Sequence, residues 1–505
     1  MKRINQKPAI SLLFLCILMV CSPCVFSQQQ EPETSAEARQ SRGSPPENNG
    51  PVYKPRERKL LVDIPLTIAE ITLFNLAGNG YWRLWGPDSE AAYFTLSSMR
   101  ANMSPRAWRF EEGQEGDTFL VNQFFHPYAG GLYFASARSN NFNFYWSALS
   151  STFGSLQWEI MGEKDSPATN DLITTSFGGL FMGEIFHRLY IELDKGDIGG
   201  KIGASILSPN DRITAALRGY GPEKGPSKIR SASLAFGVSS LYTKFLETND
   251  ETITWNRPST FIGFDLVYGD PYTAHSRTPF DQFDFSTSLV QADPEIYNLS
   301  FIADGYLASW LLAGDELERN NASNGVTLHF DAFITDKGFM ELNNGRENLS
   351  FNANSLDYSV KWQRIFNRTE LSLKTHLGFS PWAVASYNGG ANKEDHNLFL
   401  FGGNIKLFLD LQQIRKDGDA KNGRAFSLSL GFYDTWNLPN TPGFDVNTLF
   451  LSSKIACSFP ISGRFSLYLA DNFLLLLCRP ARETEELPAI TRWYNNAQLG
   501  IKVSF

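Results

Sequence analysis

The stretch NAQLGIKVSF, residues 496–505, closes the chain, and its reading decides the fold. With Trp493 before it, Ala497, Leu499, Ile501, Val503 and Phe505 make an apolar row that only Asn495 interrupts. Tyr494, Asn496, Gln498, Gly500, Lys502 and Ser504 make a largely polar row. The period is two, that of a strand with unlike faces. A fraying terminus gains nothing from sorting its side chains by face, so both faces are in use.

The same alternation recurs upstream. Val326, Leu328, Phe330 and Ala332 alternate with Thr327, His329 and Asp331, and Leu371, Leu373, Leu377 and Phe379 alternate with Ser372, Lys374 and His376. Ile405, Leu407, Leu409 and Leu411 alternate with Lys406, Asp410 and Gln412, and Phe426, Leu428 and Leu430 with Ser427 and Ser429. Turn clusters such as SPND, GPEKGP, NNGREN, KDGDAKNG and NLPNTPG divide the segments. About twelve segments of roughly ten residues match the length of tilted strands crossing an outer membrane. A soluble sandwich alternates too, but a dozen strands over about three hundred residues exceed an ordinary one. Trp382, Trp436 and Trp493 near strand ends suit a membrane interface. The expected fold is mainly β, an antiparallel transmembrane β-barrel of about twelve strands preceded by an α-helical module. Histidines and lysines on the polar rows, His329, His376 and Lys374 among them, are expected to line a hydrated lumen.

The other end of the chain reads as an export signal. Basic MKRINQK precedes an apolar run ending in Cys24-Val25-Phe26-Ser27, and cleavage is expected after Ser27. A lipoprotein cysteine at Cys21 or Cys24 is disfavoured because Val20 and Pro23 occupy places where such a signal wants a small residue. Residues 28–58, rich in Gln, Glu, Pro, Ser and Asn, read as a disordered linker. Residues 59–190 read as a helical module and 191–505 as the barrel. Only Cys457 and Cys478 of the five cysteines lie outside the signal, and a hairpin at Ser462-Gly463 would hold them roughly 33 Å apart, so no disulfide is expected. A net charge of −8 without a basic cluster argues against nucleic acid as a partner. After the signal we find no run of about eighteen apolar residues, so a membrane role falls to strands.

Ionisable residues gather in the helical module. Glu184 and Arg188, four apart in acid-then-base order, read as an intrahelical ion pair. Glu159 and Glu163 put like charges on one face near a helix end, where a cation from Arg138 would settle them. His126 with these two carboxylates also offers the N, O, O set of a divalent metal, yet ion pairing is the plainer reading, and neither metal nor cofactor is expected. Asp171, following Ser166-Pro167 as N-cap and first-turn proline, reads as a charge satisfying the helix dipole. Ser136 or Ser139 with His126 would make a nucleophile and base only if folding joined them. Gly131 to Ala135 and Gly179 to Gly183 have the spacing that lets elements approach closely.

In this region NQFFHPYAGGLYFASARSN, WEIMGE, SPATNDLITTSFGG and GEIFHRLY come in one order, and residues 122–190 resemble a bacterial envelope family known as domain of unknown function 3943. The resemblance implies an envelope location and an intact module, and no reaction. The aromatic Phe505 is similar to the closing-strand signal of outer-membrane barrels, which implies the barrel assembly machinery as a partner beside outer-membrane lipid; no soluble partner is evident. The leading functional expectation is an outer-membrane channel, transporter or structural barrel with a helical plug or brace, Arg138, Glu184 and Arg188 serving as binding or bracing residues. The alternative is an enzyme on lipid or envelope glycan using His126, Glu159, Glu163 and Asp171.

Overall fold

The computed structural model describes residues 59–85, 92–110, 119, 121–219, 226–247, 253–270, 272, 275–293, 296–314, 320–337, 349–387, 396–413, 424–438, 445–483 and 488–505. The expected signal and linker lie outside them. The helices are α1 (Leu60–Trp85), α2 (Leu96–Asn102), α3 (His126–Ser139, entered through a π-helical turn, Val121–Phe125), α4 (Phe144–Met161), α5 (Thr169–Asp194), α6 (Ile198–Leu207) and α7 (Pro209–Arg218). Their starts are chemically marked: the Asn143 side chain accepts from Trp146 N, and that of Asp197 from Gly200 N. Pro209 opens α7, and Gly219, at φ 64, closes it in the left-handed region.

Helix thus continues past Tyr190 to Arg218, and the expected module boundary at 190/191 falls inside α5. SPND is a helix junction and not a turn between strands, because Pro209 is suited to a first helical turn. The helix expected to open at Ser166-Pro167 opens at Thr169. Arg109 N donates to Pro167 O and Thr169 N to Arg109 O, which holds that segment extended.

Twelve strands follow: β1 (Ile229–Glu247), β2 (Ile253–Tyr268), β3 (Phe283–Asp293), β4 (Ile296–Gly314), β5 (Asn320–Lys337), β6 (Ser350–Phe366), β7 (Thr369–Tyr387), β8 (His396–Gln413), β9 (Ala425–Asn437), β10 (Val446–Ser462), β11 (Phe465–Pro480) and β12 (Ile490–Ser504). Each pairs antiparallel with its sequence neighbours, and β12 returns to β1 from Ser233↔Ser504 to Glu247↔Ile490, closing the barrel. Asn367 and Arg368, both at positive φ, make the tight turn between β6 and β7, the backbone sense that matches strand twist.

Register sorts the two faces. Leu266, Phe285, Ala303, Phe330, Asn354 and Trp382 are successive partners across β2 to β7 and share one face. One residue along, Asp265, Ser286, Ile302, Asp331, Ala353 and Ala383 share the other. The second face points inward, since Asp331 of β5 meets Lys406 of β8, and Asp284 of β3 meets Lys361 of β6, strands that are not neighbours. The first is the outer wall, where Leu377, Phe379, Ile405 and Leu499 are exposed. Cys457 pairs with Leu469 and Cys478 with Thr448, both thiols are free, and they stand on opposite faces.

The helical module packs on the outer wall. Phe181 meets Phe330 (ring centroids 6.0 Å), Phe124 meets Phe301 (6.2 Å), and Phe110 meets Phe399 (5.2 Å), all outward residues. At the rim that carries both barrel termini, Arg188 donates to Asp281 Oδ1 (2.8 Å) and Pro279 O (2.7 Å) in the β2–β3 connection. The expectation of a plug in the lumen or a cap at its mouth gives way to a module leaning on the wall. The barrel's own side chains occupy the interior at mid-height, and the wall offers an aromatic surface for the helices to cover.

Candidate functional site: the filled lumen and its charge cluster

The polar rows converge on a cluster of four carboxylates, three ammonium groups and two imidazoles. Lys406 Nζ donates to Asp331 Oδ2 (2.6 Å) and lies 3.4 Å from Asp357 Oδ2, while Tyr433 Oη also donates to Asp331 Oδ2 (2.8 Å). Asp357 accepts from Asn404 Nδ2 (3.2 Å) and stands 3.4 Å from His329 Nε2. Lys361 Nζ links Asp284 (3.3 Å) and Asp304 (3.7 Å), and Lys374 joins Asp284 as well. Ser359 Oγ and His376 Nδ1 share a hydrogen bond of 2.6 Å, and the rings of His329 and His376 meet edge to face at 4.6 Å.

Most of this arrangement is buried, with Asp284 and Lys374 at its more open edge. Asp331, Asp357, Lys361, His329 and His376 are each 1% exposed and Lys406 2%. The hydrated lining expected for His329 and His376 is therefore absent at their level. Charges survive such burial only when each has an opposite or hydrogen-bonding neighbour, which the interleaving of Asp and Lys supplies. Towards the far rim the inward rows turn apolar: Phe351, Tyr387, Leu400, Tyr433, Phe450, Leu476 and Tyr494 form one buried cluster, with Phe351 and Phe450 stacked at 4.2 Å.

The one group of described residues placed to hold a metal is Asp304, His329 and His376, whose ligand atoms lie within 4.8 Å of one another. This N, N, O set suits a divalent transition metal, but Lys361, 3.7 Å from Asp304, competes for the carboxylate.

The helical candidates are placed as follows. Glu184 is the hub of a buried ion-pair system: it accepts from Arg138 through Nε (2.7 Å) and Nη2 (2.9 Å), and from Arg188 Nε (2.9 Å). The intrahelical pair is present, and Arg138 serves Glu184 rather than the Glu159/Glu163 pair. Glu159 is wholly buried and accepts from Ala168 N (2.9 Å) through Oε2. Glu163 lies beyond the end of α4, so the two glutamates do not share a helical face. His126 pairs with Thr175 (3.2 Å) and with Asp171 (3.7 Å), which sits in the first turn of α5. Ser136 shares helix α3 with His126, and ten residues put them about 15 Å apart along its axis, so the Ser-His dyad does not form. Ser136 instead accepts from Asn210 Nδ2, and Ser139 bonds Thr214 (2.9 Å).

Glycines set the helix crossing. An added Cβ on Gly179 would stand 2.5 Å from Gly130 C, and one on Gly130 2.1 Å from Thr175 O, while Gly131 faces Gly183. The small-residue stripes are thus used between α3 and α5. The polar lumen cluster was missed in the sequence, where each member is one polar residue on an alternating strand.

Phe505 is outward and buried against the wall beside Ala232, whose carbonyl accepts from its N–H (2.9 Å). The closed strand order and apolar outer wall make the chain a β-barrel of the outer-membrane type.

Solved structures of similar fold include the NanC porin (6% identity, TM-score 0.23, covering 52% of this chain and 99% of that one). The outer-membrane channel COG4313 from Pseudomonas putida F1 gives 12%, 0.28, 56% and 97%, and the translocator domain of the autotransporter NalP from Neisseria meningitidis gives 9%, 0.26, 59% and 95%. The barrel itself rests on its own strand pairing. No curated protein matches the sequence. Residues 113–210, within the helical module, match the family model described as a domain of unknown function (DUF3943).

Proposed function

We propose that the protein is a non-enzymatic structural barrel of the outer membrane, closed at rest, with the helical module as a brace fixed to its wall. The observation that supports this reading is the burial of the inward residues from the charge cluster to the far aromatic layer: Lys406, Tyr433 and Tyr494 are each 2% exposed and Tyr387 and Phe450 0%. A continuous water column would leave such side chains accessible. Passage of a solute would need the Asp331–Lys406 pair and the aromatic layer beyond it to open together. Arg138, Glu184 and Arg188 are the brace's polar joint, tying α3 to α5 and α5 to the β2–β3 connection at Asp281.

The enzyme alternative finds no support in the helical candidates, whose carboxylates serve backbone and neighbouring side chains. The test is planar-bilayer recording of the refolded full-length protein. The closed-barrel reading expects no sustained ohmic conductance, and steady single-channel openings under moderate voltage would overturn it.

A further inference from the structure

Three helices of the module, α1, α4 and α7, are built inside out. On α4 the exposed stripe is Tyr145, Trp146, Leu149, Phe153 and Leu156, while Ser147, Ser151, Gly154, Ser155 and Glu159 are buried. On α1 Leu61, Ile64, Leu73 and Leu76 are exposed, while Asp63, Thr67, Glu70, Asn75 and Asn79 are buried. The short α7 repeats the inversion, with Ile213 and Leu217 out and Asn210, Asp211 and Thr214 in. A helix facing water buries its apolar stripe. Three helices in one module doing the reverse point to an apolar surrounding.

Carboxylates and amides on the buried faces of these helices find partners within the bundle, as hydrocarbon surroundings favour. Asp63 pairs with Arg218, Glu70 accepts from Thr214 (2.8 Å) and Asn140 (2.9 Å), and Asn75 donates to Gly154 O (3.1 Å). Helix contacts are made through glycine, the packing that bundles use where lipid competes for apolar surface.

Position agrees with composition. The module covers outward residues from Tyr268 and Phe283 at the terminal rim to Trp382 and Phe399 near the far one. Its edge on β6 and β7 falls between covered Asn354 and Trp382 and bare Leu356 and Phe379, so the outer faces of the module and the wall are continuous. Leu60–Leu84 is also long and apolar enough to cross a membrane, although the sequence reading reserved that role for strands.

We propose that the helical module is embedded in the outer membrane beside the barrel, its exposed apolar face in contact with lipid acyl chains. This inference rests on the membrane-barrel reading, and its test separates the two. Nitroxide labels go on Leu149→Cys, Leu73→Cys, Leu377→Cys on the bare β7 wall, and Arg464→Cys in the β10–β11 turn, in a background where every cysteine but buried Cys478 is serine. Collision with oxygen and with a water-soluble nickel chelate is measured in phosphatidylcholine vesicles. Labels at Leu149 and Leu73 should show the oxygen-to-nickel ratio of Leu377, several-fold above that of Arg464. Nickel-rich values at Leu149 and Leu73 with a lipid-like Leu377 would overturn the embedding and leave the barrel standing. Poor access to both reagents at Leu149 would mean a second copy or another protein on that face and would equally overturn it. A nickel-rich Leu377 would sink the membrane-barrel reading itself.

Discussion

Gly179→Ala and Gly80→Ala add the same methyl group to two helices and should act with opposite sign. At Gly179 in α5 the new Cβ would lie 2.5, 2.7 and 2.9 Å from the C, Cα and O of Gly130. Those are backbone atoms of α3, so no rotamer change relieves the contact. Restoring an ordinary carbon–carbon approach of about 3.5 Å requires the helices to part by roughly 1 Å, loosening the Gly131–Gly183 and Gly183–Phe134 contacts beside it. Overpacking of this kind costs about 1–3 kcal/mol. Gly80 sits inside α1 with nothing within 4 Å of an added Cβ, so alanine there removes only the backbone freedom of glycine and should stabilise by about 0.5–1 kcal/mol. Urea titration of the protein in lipid vesicles, followed by near-ultraviolet circular dichroism, measures both. A Gly179→Ala protein as stable as the parent would refute the packing argument, since the clash is with main chain and has no cheap escape.

Asp331→Asn leaves the more distant Asp357 as the carboxylate beside buried Lys406, and should destabilise the barrel by about 3 kcal/mol, while Asp331→Leu with Lys406→Met should cost less than the single change; a urea series on the three proteins tests the order. Glu184→Ala removes the carboxylate shared by Arg138 and Arg188, leaving Arg188 with Asp281 and Arg138 with the Phe142 carbonyl, and should cost about 3 kcal/mol, against a smaller loss for Glu184→Gln, which still accepts hydrogen bonds. Phe505→Asp puts a charge on the outer wall beside Ala232, and deletion also removes the bond to its carbonyl; either should reduce the heat-modifiable folded form in outer membranes while export continues.

The strands were legible where one face differs from the other. The alternation at Leu371 to Phe379, Ile405 to Leu411 and Trp493 to Phe505 gives the correct outward rows, and the free cysteines follow from the same register. The place of the helical module was not legible, because an outward Phe285 or Phe330 under a helix has the same neighbours in sequence as an outward Leu377 under lipid. The charge cluster was hidden for another reason: Asp284 and Lys361 are separated by two strands and meet only once the sheet curls shut. The helices of 191–218 were readable in principle, since Asp197 and Pro209 are ordinary helix starts. At Ser166-Pro167 local capping preference lost to the pairing with Arg109.

The central claim is a membrane barrel filled by its own side chains. Hydroxyl-radical footprinting of the unmodified protein in vesicles tests it most directly. Tyr387, Tyr433, Phe450 and Tyr494, inward and at most 2% exposed, should stay unoxidised while exposed Phe465 beside the β10–β11 turn is modified. Oxidation of those four lumen aromatics at the rate of Phe465 would mean an open, water-filled channel and would contradict the account.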